Sequence, residues 1–125
     1  MSGSSTTRQV APVQAEGGFD RQHLARYTMD NADLEREIIG LFLQQLPAIV
    51  ETLKVAASRD DWRMAAHTLK GSAAAVGATA IHESALELEQ VSFAANVNVK
   101  NTAIQTLDAR VDRFRRIVAG LYGAF

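Results

Sequence analysis

At 125 residues and 47% hydrophobic content the chain suits one domain with a sizeable core, and its Ala- and Leu-rich, aromatic-poor make-up favours helix over sheet. The absence of cysteine excludes disulfides and thiolate metal sites, and a formal net charge of -1 argues against a domain that tracks nucleic-acid phosphates. No apolar run reaches the ~18 residues of a membrane span, and no basic start leads into an apolar signal core, so a cytoplasmic protein is expected.

Residues 1–18 are rich in Ser, Thr, Gly and Gln without periodicity and read as a disordered tail, leaving 19–125 as the domain. Asp20 is placed to cap a short helix through Tyr27, with Leu24 and Tyr27 on one side and His23 as a plain surface histidine. Asp30 or Asn31 opens a long helix to about Ala57. Ile38, Phe42, Leu46, Ile49, Leu53 and Ala56 form its apolar stripe, and Asp33, Glu35 and Glu37 suit its positive end. Pro47 interrupts that helix, but the stripe keeps phase across it, which predicts a kink rather than two helices.

Ser58 to Asp61 is a polar turn, with Asp60 or Asp61 as cap of the next helix, which should end near Val76 with Gly77 as its stop. On this helix Trp62, Ala66, Leu69, Ala73 and Val76 fall within about 40° of one line and face the core. His67 lies about 140° away, toward solvent. Arg63 and Lys70 flank it on one side, Met64 and Gly71 on the other, with Ala74 and Ala78 close by. Gly71 is costly inside a helix, about 1 kcal/mol against alanine. It lies away from the core stripe, so packing within the domain does not explain it, whereas the approach of another protein to His67 does.

Thr79 is expected to cap the following helix, with Ile81, Ala85, Leu88 and Ser92 in line and Leu86 and Phe93 flanking. Residues 94–101 read as a loop. The last helix carries Ile104, Leu107, Val111, Phe114, Val118 and Leu121 at strict 3 and 4 spacing, with four arginines and two aspartates on its wet face. The expected fold is all-α, an antiparallel four-helix bundle with a short additional N-terminal helix. One apolar stripe per helix favours a monomer.

The run HTLKGSAAAVGA resembles the phosphohistidine motif of histidine-containing phosphotransfer (HPt) domains, and the resemblance extends from about Phe19 onward. It implies that His67 is the phosphorylated residue and Lys70 its phosphate-stabilising companion. Gly71 and Ser72 would be signature positions, with Gly77 and Ala78 closing the motif; Ala75 stands where many members have Asn. The docking face would comprise Arg63, Met64, Gly71, Ala74 and Ala78. The resemblance also implies outward attack through Nε2, with Nδ1 held by a local partner, and partners that are response-regulator receiver domains and a hybrid sensor histidine kinase. The magnesium ion and carboxylate for transfer would come from the receiver.

The chemistry is consistent with that reading. A neutral imidazole nitrogen has a free lone pair, needs no general base, and can exchange a phosphoryl group with a carboxyl phosphate through a loose transition state. The sequence has neither a GxxxxGK[ST] loop nor a GxG box, so the chain is expected to be a phosphocarrier that does not use ATP, with no cofactor. The similar module of a chemotaxis-type kinase is disfavoured because no catalytic or dimerisation domain follows. Two other classes compete: a helical adaptor in which His67 is incidental, and a metal-binding bundle. His67 and His82 lack i, i+4 spacing and no Glu-x-x-His repeat occurs, so no metal site is assigned.

Overall fold

The computed structural model describes residues 18–125, and the expected tail, apart from Gly18, lies outside the described residues. Five helices follow in order: α1 (Arg21–Thr28), α2 (Ala32–Val55), α3 (Arg59–Val76), α4 (Thr79–Gln90) and α5 (Val97–Tyr122). Helix α3 packs against both α2 and α4, and these two pack in turn against α5, so the four long helices form a ring. Short connections at 56–58, 77–78 and 91–96 make neighbours antiparallel. Helix α1 lies across α2 and α3. The fold is all-α, as the periodicities imply.

Local chemistry sets the helix ends. Asp20 and Asn31 accept backbone N–H bonds from His23 and Leu34 at the starts of α1 and α2. Ser58, rather than Asp60 or Asp61, caps α3 by accepting from the Asp61 N–H; the two aspartates occupy the first turn, where the helix dipole favours them. At the other end of α3, Gly77 turns left-handed (φ 81°). The Gly77 N–H then donates to Ala74 O and the Ala78 N–H to Ala73 O, a Schellman closure. Thr79 does not cap α4: Ala78 holds the cap position, with no side-chain cap bond among the described residues. Asn96 caps α5, which therefore begins at Val97, inside the stretch expected as loop. The polar Asn-x-Asn-x-Lys run hid that first turn.

The core is one cluster fed by every helix. Trp62, Ala66, Leu69, Ala73 and Val76 of α3 are all buried, joined by Ala65. On α2 the buried face is centred on Ile39, Phe42, Leu43, Leu46, Val50 and Leu53, while Ile38, Ile49 and Ala56 sit at its edge. Helix α2 continues through Pro47. Leu34, Leu41 and Val55 of α2 are exposed, so this helix departs from one apolar stripe per helix. An 18-residue window of α2 reaches a mean hydropathy of 1.4, long and apolar enough to cross a membrane by composition, with 33% of that window buried. Tyr27, Leu86 and Leu121, expected at packed positions, are exposed; Tyr122 packs against the core in place of Leu121.

Candidate functional site

Mid-way along α3, core packing aims His67 outward. Ala66 and Leu69 are fully buried beside it, and that fixes the rotation of the helix. The imidazole is 73% exposed. Its Nδ1 stands 3.9 Å from Glu89 Oε2, a carboxylate near the C-terminal end of α4. Lys70 reaches across to that same carboxylate, with its Nζ 3.1 Å from both Oε1 and Oε2. The site is therefore a triad drawn from two helices: an exposed ring, a carboxylate facing its inner nitrogen, and an ammonium held by that carboxylate.

Glu89 is absent from any reading of the motif because it lies on the next helix, 22 residues beyond His67. Its sequence signal is slight: it follows Leu88, whose burial sets α4 against α3. Trp62 locks this pairing by donating its indole N–H to Leu88 O at 3.1 Å, so the residue before Glu89 is held by the helix that carries His67. Lys100 closes the far side, lying 4.3 Å from the Phe93 ring centroid and donating to Phe93 O.

Around the ring the surface is low. Arg63, Met64, Gly71 and Ala74 are exposed, and a Cβ built on Gly71 would meet nothing among the described residues within 4 Å beyond its chain neighbours and the backbone of its own helix. Ser72 is half-buried and Gly77 is buried at the end of the helix. Ala78 requires a correction: it is fully buried, paired in an isolated bridge with Phe19, and cannot belong to an exposed face. The helical rotation that brought it beside His67 stops applying after Val76, because Gly77 turns the chain inward. Asp60, Arg63, Met64, His67 and Glu89 line an open cleft of about 480 Å³ beside the imidazole. His23 and His82 do not line it; they border a different, small cavity of about 110 Å³ near Gly77. Among the described residues no group of three or more His, Cys, Asp or Glu side chains gathers in a metal-binding arrangement.

The fold is thus a four-helix bundle with a short leading helix, and one of its helices presents an exposed histidine steadied from the neighbouring helix, with Gly71 and Ala74 leaving one flank open. The family comparison agrees: the Hpt domain model matches residues 37–117, well over half of the chain, and the chain belongs to that family. No curated protein and no solved structure matches it significantly. The protein is thus a histidine phosphotransfer domain of two-component signalling, a phosphocarrier without an ATP site of its own.

Proposed function

We propose that His67 is the phosphoryl acceptor and that it relays the group between receiver-domain aspartates. The observation that carries this is the 73% exposed ring whose Nδ1 faces Glu89, which leaves Nε2 for attack. The Nε2 lone pair forms the new bond to phosphorus as the bond to the aspartyl oxygen breaks, and the aspartate leaves as carboxylate with the electron pair. The Nδ1 proton stays on the ring, and the positive charge the ring acquires is offset by Glu89. Lys70, released from part of its hold on Glu89, turns to the phosphoryl oxygens. Reversal follows the same path, because both phosphates are reactive.

Docking is assigned to the low surface of α3, Met64, Gly71 and Ala74, bordered by Arg63. The proposed partners are receiver domains and a hybrid sensor kinase; nucleic acid and membrane have no part in the scheme. The domain works as a cytoplasmic monomer, and residues 1–17 are assigned no role in transfer. The test is ³¹P spectroscopy after mixing the protein with a phosphorylated receiver. A phosphoramidate signal that disappears in His67→Gln is the expected result, and label retained in that variant removes the assignment.

A further inference from the structure

Lys70 and Glu89 together carry no net charge. Each ammonium–carboxylate contact is 3.1 Å, so the Lys70 field at the imidazole is largely cancelled before any phosphoryl group arrives. Asp60 adds negative charge to the same cleft. Left like this, the cleft would repel an anion. Arg63 alters that balance. It lines the cleft together with His67 and lies four residues earlier on α3, hence one turn away on the same face. Helical side chains lean toward the N-terminus, so the His67 ring tilts over the turn that carries Arg63. Among the described residues Arg63 has no carboxylate within 4.0 Å, in contrast to Lys70, Lys54, Arg21 and Arg110, which are all paired.

We infer that Arg63, rather than Lys70, is the cation that first meets the incoming phosphoryl group. This rests on His67 being the acceptor. A guanidinium offers two parallel N–H donors to phosphate oxygens, so it can hold the group in line with Nε2 while Lys70 is still engaged by Glu89. Lys70 then acts later, once Glu89 turns to the ring that has become positive. The two cations of the motif helix are thereby divided in time: Arg63 for capture, Lys70 for retention.

A small donor separates this role from protein docking. Phosphoramidate delivers its phosphoryl group to Nε2 with ammonia leaving, and no partner surface is involved. The rate of His67 phosphorylation by phosphoramidate should fall roughly tenfold in Arg63→Gln, the size of one lost charge-assisted hydrogen bond. Arg63→Lys should recover part of it, and Lys70→Ala should cost less at this step while shortening the lifetime of the phosphohistidine. Arg116→Gln, on the wet face of α5, is the control and should react as wild type. An unchanged rate in Arg63→Gln alongside a large loss in Lys70→Ala overturns the inference. Phosphorylation that persists in His67→Gln defeats the acceptor assignment itself, which is a different outcome.

Discussion

Glu89 holds Lys70 through both of its carboxylate oxygens at 3.1 Å while the same group stands 3.9 Å from Nδ1 of His67. One side chain therefore governs the cation and the ring together. Glu89→Ala should slow transfer from a phosphorylated receiver by about tenfold, because the ring loses the group that offsets its new charge. Glu89→Gln keeps a hydrogen-bond acceptor and should fall between. Both side chains of the pair are partly exposed, so the melting temperature should hardly move, in line with the ~0.2–1 kcal/mol of such pairs. Rapid-quench transfer rates equal to wild type in Glu89→Ala would remove Glu89 from the mechanism.

Gly71 and Ala78 invite opposite results from the same kind of substitution. A side chain on Gly71 enters open space, so Gly71→Leu should keep or slightly raise stability, since glycine is a poor helix former, while blocking the receiver's approach. Ala78 is fully buried, and Ala78→Leu should cost about 1–3 kcal/mol through overpacking. Paired thermal melts and transfer assays check both. Normal transfer by Gly71→Leu means the docking surface lies elsewhere.

The contrast between those two residues also marks what a single sequence can reveal. Along α3 rotation placed residues correctly: the five core residues, the outward His67 and the open flank at Gly71 were all legible from spacing. On the other helices it misplaced Tyr27, Leu86 and Leu121, which are exposed, because a period marks a face without fixing how far the neighbouring helix covers it. The reading also failed at helix ends. Ala78 was carried one step past the left-handed Gly77, and Val97–Lys100 was hidden by a polar first turn. Glu89 was illegible for another reason. Its place beside His67 depends on how α4 docks against α3, fixed in part by the Trp62 bond to Leu88, and no period within one helix encodes that register.

Gly77 ties the end of the motif helix to the N-terminal segment. Its φ is 81°, its carbonyl accepts from the Asp20 N–H at 2.8 Å, and an added Cβ would lie 2.5 Å from Asp20 O. Gly77→Ala should therefore lose at least ~1–2 kcal/mol for the left-handed backbone alone, with more for displacing the Asp20 backbone. Chemical denaturation measures the loss. Phosphorylation of His67 by phosphoramidate in conditions where the variant stays folded should be nearly normal, since Gly77 is distant from the ring.

Tyr122 gives the fold a dependence on alkaline pH. Its hydroxyl donates to the buried Glu35 at 2.8 Å, and Glu35 also accepts from Thr28 at 3.0 Å, so three helices meet on one carboxylate. Burial, and then the hydrogen bond to Glu35, push the Tyr122 phenol from 10.0 up to about 12. The folded state therefore keeps a proton that the unfolded chain releases. With more protons bound in the folded form, stability must fall as pH rises. The contribution of this group is complete below pH 10.0 and is lost as pH climbs through about 12. Tyr122→Phe should cost ~1 kcal/mol at neutral pH by leaving Glu35 one donor short. The gap between wild-type and variant melting temperatures should then narrow over that alkaline window, because only the wild type has this phenol to ionise. A gap that stays constant from neutral pH to pH 12 would mean that the Tyr122 proton is not coupled to folding.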